Sequence, residues 1–153
     1  MKDESELVAL VAEKFKLNGW VVIVSRPSQN RIYFIESSGR RKAPDFIALK
    51  QGRLFVAEAK CRSADLFSAG RGRLSDVSSL RELALESVGI PFLGRVARRL
   101  ASLQIRHDGI ESMEIGLIAA SSLSRMHADA SDDLMIIIAD AGAEVGASAQ
   151  FNW

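Results

Sequence analysis

One cysteine, Cys61, stands in 153 residues. A lone thiol excludes an internal disulfide and any zinc site built from several cysteines. Its place between Lys60 and Arg62 could lower a thiol pKa, but a small packed side chain is the simpler reading. There are two histidines, His107 and His127. Both lie in or beside polar connecting stretches without the neighbours that a histidine-metal or Ser-His-Asp site needs, so they read as surface residues. No apolar run approaches the roughly 20 residues that span a bilayer; the longest near the end is Leu134 to Ala139. The start, Met1-Lys2-Asp3-Glu4-Ser5-Glu6, is acidic rather than apolar. A cytoplasmic protein without a membrane partner is the expectation. There is no internal repeat, and no low-complexity tract beyond the small-residue richness of Ala139 to Ala149. The Gly70-Arg71-Gly72-Arg73 stretch lacks the glycine spacing and the Lys-Ser/Thr of a phosphate-cradling loop, and no small-molecule cofactor is expected.

Charge of one sign is scarce locally rather than overall. The net charge is +1, yet Arg26 to Arg106 holds sixteen Lys/Arg against seven Asp/Glu, and His107 to Trp153 holds one against eight. A basic middle and an acidic end suggest a polyanionic partner for the middle; intramolecular or dimer pairing is the other use of such a split. Of the 20 basic residues 14 are Arg, which leans toward phosphate. At 48% hydrophobic content the chain suits one well-buried domain over residues 1–153, with a core over 4–122 and acidic C-terminal strands within 107–153.

What is present centres on Pro44 to Lys60. Two apolar runs, Phe46 to Leu49 and Leu54 to Ala57, flank Lys50-Gln51-Gly52-Arg53, the pattern of a β-hairpin with Gly52 in its turn. A two-residue loop makes Lys50 face Arg53 and, counting back, sets Asp45 opposite Glu58. Like charges there are destabilising. Lys60, two residues on, shares the face of Glu58. Two carboxylates and an ammonium thus meet at the open end of a hairpin that is apolar on both faces, Ile47, Leu49, Leu54 and Val56 on one and Phe46, Ala48, Phe55 and Ala57 on the other. Buried acids need a partner. The arrangement suits Mg2+, with Mn2+ as substitute, held by Asp45 and Glu58, while Lys60 orients or activates a water or stabilises charge on a phosphate. The plainer alternative is a surface hairpin whose Lys60 pairs with Glu58 or Asp45.

Around the hairpin the periodicity gives a helix over Asp3 to Leu17, striped by Leu7, Val8, Val11 and Phe15, with Asp3 or Ser5 as cap and Asn18-Gly19 at its end. Glu4 falls in the middle of that stripe, whereas Glu6 and Glu13 fall off it. A carboxylate facing a core needs a cation or a donor, although acids in a first helical turn are favoured whatever they face. Trp20 to Val24 reads as a strand buried on both faces, Arg26 to Asn30 as a turn and Arg31 to Glu36 as a second strand. Ser37 to Lys42 reads as a polar loop whose Arg40, Arg41 and Lys42 meet phosphates or merely solvent. Val77 to Val88 reads as a helix with Ser79 and Glu82 in capping-box spacing. Gly89-Ile90-Pro91 is expected to interrupt it before a further helix to about Arg106. There Arg95, Arg98, Arg99 and Arg106 share one face with no acidic residue, which favours an anionic partner. Strands follow over Met113 to Ala120 and Leu134 to Ala139, with a candidate over Glu144 to Phe151.

The order helix, strand, strand, P-D hairpin to E-A-K, helix, strand resembles the PD-(D/E)xK nuclease superfamily, the restriction-endonuclease-like fold. The likeness covers roughly Glu4 to Val88, with Asp45, Glu58 and Lys60 at the motif positions. Glu4-Ser5-Glu6-Leu7-Val8, Gly19-Trp20, Pro44 to Ala48 and Glu58-Ala59-Lys60 look most like archaeal Holliday junction resolvases, with Glu4 at the family's helix-borne acid. The resemblance implies an α/β fold with an αβββαβ core, a mixed central sheet flanked by helices. It implies a Mg2+-dependent endonuclease hydrolysing phosphodiester bonds in DNA, branched or junction DNA included. Asp45, Glu58 and Glu4 would be metal ligands, Lys60 would assist the attacking water, and Arg40, Arg41, Lys42, Arg62, Arg71, Arg73, Arg95, Arg98 and Arg99 would hold the nucleic acid. Cutting both strands of a duplex implies a homodimer. The rival reading is a non-catalytic nucleic-acid-binding or assembly module that keeps the fold.

Overall fold

The computed structural model describes residues 4–25, 32–60, 75–120, 134–139, 145–148 and 151–153. Cys61, Arg62, Arg71, Arg73, His127 and the turn expected over Arg26 to Asn30 lie outside them.

Helix α1 spans Glu4–Leu17 and buries the expected stripe of Leu7, Val8, Val11 and Phe15, joined by Ala12. Glu4 and Glu6 in its first turn and Lys14 and Lys16 in its last complement the helix dipole. It ends in a Schellman motif: Trp20 N–H donates to the Phe15 carbonyl at 3.0 Å and Gly19 N–H to that of Lys16 at 3.1 Å.

The strands are β1 (Val21–Val24), β2 (Phe34–Ile35), β3 (Arg41–Lys42), β4 (Phe46–Lys50), β5 (Arg53–Lys60), β6 (Ser112–Ala120), β7 (Leu134–Ala139) and β8 (Gly146–Ala147). Six of them form one sheet in the order β1-β4-β5-β6-β7-β8, and β2 and β3 form a separate pair. The pairs β1·β4, β4·β5 and β7·β8 are antiparallel; β5·β6 and β6·β7 are parallel. This is the expected mixed central sheet in an α/β fold. The hairpin has the predicted register, Lys50 opposite Arg53 through to Phe46 opposite Ala57. Gln51 at φ 49° and Gly52 at φ 79° both take the left-handed conformation that a two-residue turn of type I′ requires.

Each face of β4 and β5 has its own core, divided as the alternation of the sequence requires. Phe46, Ala48, Phe55 and Ala57 pack with α1, Trp20, Ile118, Ile137 and Phe151. Ile47, Leu49, Leu54 and Val56 pack with Phe34, Leu117, Ile136 and two further helices, α2 (Asp76–Glu82) and α3 (Glu86–Ser102). Asp45, Glu58 and Lys60 have the parity of this second set, so they belong to the α2/α3 side of the sheet and not to the α1 side.

Several expectations are corrected. β1 is not buried on both faces; it is the sheet edge, paired to β4 alone, and Val21 is 41% exposed. The strand expected over Arg31 to Glu36 contracts to β2, and the polar loop expected over Ser37 to Lys42 contributes β3 as its partner. The helix break falls at Leu83 to Leu85, ahead of Gly89-Ile90-Pro91, and α3 runs through Pro91 without the hydrogen bond a proline cannot donate. Gly89 is required there because a Cβ would stand 2.3 Å from the Leu83 carbonyl oxygen. Since α3 begins at Glu86 and ends at Ser102, it does carry an acid in its first turn, and Arg106 lies outside it. Ser79 and Glu82 do not form a capping box. The cap is Ser75, whose Oγ accepts from Ser78 N–H at 3.2 Å. Ser79 instead donates to buried Glu36, and Glu82 accepts from Ser37 N–H at 2.6 Å, together fastening the β2–β3 turn to α2. No helix among the described residues is long and apolar enough to cross a membrane.

Candidate active site

The open end of the hairpin is where strand order gives way to side-chain order. The ladder stops at Phe46·Ala57, and Asp45 bends away, its N–H donating to the Ala57 carbonyl at 3.1 Å. Its Oδ2 accepts from Ala59 N–H at 2.8 Å, which pins the carboxylate beside the next turn of β5. Glu58 projects from β5 between Ala57 and Ala59, both fully buried, and is itself 2% exposed. One of its oxygens, Oε2, lies 3.7 Å from Lys42 Nζ; the other, Oε1, is buried without a hydrogen-bond partner. Burial first, and then the neighbouring Asp45 charge, push the Glu58 carboxyl well above the ordinary carboxylate range, with Lys42 opposing the shift.

Two lysines and a further acid complete the cluster. Asp76, 12% exposed at the first residue of α2, accepts from Lys42 Nζ at 2.6 Å on Oδ1 and lies 3.2 Å from Lys60 Nζ through Oδ2. Burial works to lower both lysines, but the acids around them win. Lys42 is held above its usual value by Glu58 and Asp76, and Lys60 by Asp76 and Glu4. Lys60 therefore pairs with Asp76 and Glu4, not with Glu58 or Asp45.

Of the residues singled out in the sequence, Asp45, Glu58 and Lys60 converge. Glu4 reaches the rim: its Oε1 is 3.9 Å from Lys60 Nζ and its side chain is 42% exposed. The reason is topological, since α1 covers the sheet face opposite to the acids and Glu4 meets the lysine at the strand end. Lys42, expected on phosphate, turns into the acid cluster. Its neighbour Arg41 turns the other way and lies over the Tyr33 ring at 4.6 Å, with Arg95 over the same ring at 4.4 Å. Arg98 and Arg99 line a pocket beside them. Arg40 lies in the β2–β3 turn, its N–H 3.5 Å from Ser38 Oγ. Asp76 was missed. The signal that marks it is Ser75-Asp76 with Ser78, a cap followed by a first-turn acid. Nothing in the sequence marks Glu36 as buried.

A hard divalent cation suits Asp45 and Glu58. The orphaned Glu58 Oε1 is a buried acceptor in want of a positive partner, and two adjacent carboxylates are mutually destabilising until one is neutralised. Among the described residues no three His, Cys, Asp or Glu side chains are grouped so as to hold a metal ion by themselves. Water and substrate oxygens would therefore supply the remaining ligands.

No protein-family model matches the chain, and no curated protein matches it. Among solved structures it is similar to the crystal structure of an XisH family protein from Nostoc punctiforme, at 16% identity and a TM-score of 0.37, over 90% of this chain and 90% of that one. A likeness that weak carries no argument about this chain.

Proposed function

We propose that the protein is a Mg2+-dependent endonuclease that hydrolyses phosphodiester bonds in DNA at the open end of the β4–β5 hairpin. The observation that supports this most is Glu58, buried beside Asp45 with one oxygen unpartnered and an ammonium, Lys60, at the same strand end. Asp45 and Glu58 would hold Mg2+, or Mn2+ in its place. The cation would supply charge neutralisation at the scissile phosphate and acidify a bound water. With the Asp45 charge offset by the cation, Glu58 would release its proton to solvent and hold the ion as a carboxylate. Lys60 directs an N–H at the attacking water or at the phosphate oxygen where charge develops. Asp76 keeps Lys60 and Lys42 charged and turned inward. Glu4 acts on Lys60 from the rim.

Branched or junction DNA is the substrate class that the resolvase-like pattern of Glu4 to Val8 and Pro44 to Lys60 favours. A homodimer supplies the second site that cutting both strands requires. One observation favours the non-catalytic alternative: Lys42 Nζ, 2.6 Å from Asp76 and 3.7 Å from Glu58, already brings positive charge to the acids. Purified protein with Mg2+, Mn2+ or EDTA on linear, nicked, single-stranded and four-way DNA separates the two readings. Metal-dependent nicking is expected, with four-way DNA preferred. Tight DNA binding with no cleavage in any metal would leave the binding module.

A further inference from the structure

Tyr33, just ahead of β2, is the only tyrosine of the chain. Two guanidinium groups lie against its ring, Arg41 at 4.6 Å and Arg95 at 4.4 Å, and Arg95 also approaches the Tyr33 carbonyl at 3.5 Å. Ile32, Tyr33, Arg95, Arg98, Arg99 and Ser102 line a pocket of about 350 Å3 at this place. Among the described residues no carboxylate lines it. Among the described residues none of Arg41, Arg95, Arg98 and Arg99 has an ion-pair partner, whereas Lys42, the next residue along β3, is fully engaged by acids. Three guanidinium groups gathered at one pocket, those of Arg95, Arg98 and Arg99, repel one another unless an anion joins them. A guanidinium flat on an aromatic face keeps its outer N–H edge free for oxyanions, which it meets in fork geometry. Arg98 and Arg99 are exposed on the outer side of α3, so the pocket mouth is open to a large ligand.

We propose that this pocket is a phosphate subsite that holds a backbone phosphate of the nucleic-acid strand. Adjacent residues of a β-strand point to opposite sides, so Arg41 and Lys42 tie the pocket to the acid cluster through one peptide unit. A strand seated on the arginines is thereby led toward Asp45 and Glu58. Naming the ligand as a strand phosphate rests on the endonuclease reading, but binding is measured without cleavage.

The test uses the whole protein with ring-labelled tyrosine, so that Tyr33 gives a single-site NMR signal, in EDTA throughout. The probes are inorganic phosphate, a 5′-mononucleotide and a DNA duplex with hydroxyl ends, which carries internal phosphodiesters only. The duplex is expected to shift the Tyr33 signal saturably, and inorganic phosphate or the mononucleotide to displace it at higher concentration. The Arg98→Ala/Arg99→Ala pair should weaken duplex binding at least tenfold and reduce the slope of log affinity against log salt by about 0.9, the value for one lost phosphate contact. A duplex that binds without moving Tyr33, or a double variant with unchanged affinity and salt slope, overturns the subsite. A shift with the mononucleotide but none with the duplex overturns the strand assignment. Cleavage in a separate Mg2+ assay with Tyr33 silent in EDTA refutes the subsite alone; a Tyr33 shift in EDTA without cleavage in that Mg2+ assay refutes the endonuclease reading alone.

Discussion

At the turn end of the β4–β5 hairpin, Lys50 and Arg53 face each other as like charges, and each finds partners off the ladder. Lys50 Nζ donates to the carbonyls of Asn18 at 2.7 Å and Trp153 at 2.9 Å. Arg53 makes a fork to Glu114, Nε at 2.9 Å and Nη2 at 3.1 Å, and lies over the Trp20 ring at 4.9 Å. Beneath it Phe15, Trp20, Phe55, Phe151 and Trp153 interlock at centroid separations of 5.0 to 5.9 Å. At the open end of the same two strands Asp45 and Glu58 are also like charges, but they are left in a different state. Two lysines are shared among three acids, Glu58 keeps its proton above the usual range, and Glu58 Oε1 has no partner. The like-charged pair is satisfied at one end, by the partners of Lys50 and Arg53, and left incomplete at the other. Function is to be sought at the end whose own residues do not satisfy it.

The sharpest break between the two ends comes from removing the motif residues. Asp45→Ala and Lys60→Ala should each lower cleavage by about 10²–10³-fold, with duplex affinity in EDTA retained; a gel assay showing full activity in Asp45→Ala contradicts the comparison. Next is Asp76→Asn, which removes the carboxylate charge that holds both lysines and should cost about 10- to 100-fold in rate, as loss of a supporting partner does. At the closed end, Arg53→Met should lower stability by about 1 kcal/mol through the lost Glu114 fork and ring contact, read as a fall in Tm, and leave cleavage below that Tm unchanged. A loss of activity without a fall in Tm would show that the turn end also takes part. The smallest effect is expected for Glu4→Gln, whose side chain meets Lys60 from the far side of the sheet. Its rate should fall only slightly more than that of Glu13→Gln at matched thermal stability, and a loss as large as that of Asp45→Ala would make Glu4 a ligand.

The hairpin was legible because alternation about Gln51-Gly52 fixes both register and face; one counting error would have turned Glu58 into the α1 core. Asp45, Glu58 and Lys60 follow from that count. Glu4 was legible as an inward-facing helical acid, but helical phase does not tell which face of the sheet a helix covers. Asp76 and Lys42 were beyond the pattern, because they arrive at the cluster from α2 and from a two-residue strand of polar residues. Pro91 misled by marking a helix end where tertiary packing of Val88, Phe92, Val96 and Leu100 carries the helix through.

On the proposed function the open end is a carboxylate pair completed by a divalent cation. Because the Glu58 carboxyl is raised in the folded protein, its contribution to stability is full below the ordinary carboxylate pKa and is lost as pH rises through the folded value. In EDTA at pH above that value Glu58→Gln should therefore be more stable than the wild type, by about 1–3 kcal/mol for an unsatisfied buried group, and the gap should close on acidification. The most direct measurement is the change in Tm on adding Mg2+ at that pH, wild type beside Glu58→Gln. A concentration-dependent rise is expected in the wild type, as binding to the folded state requires, and none in Glu58→Gln; equal shifts in both, or no shift in the wild type, would contradict the cation site.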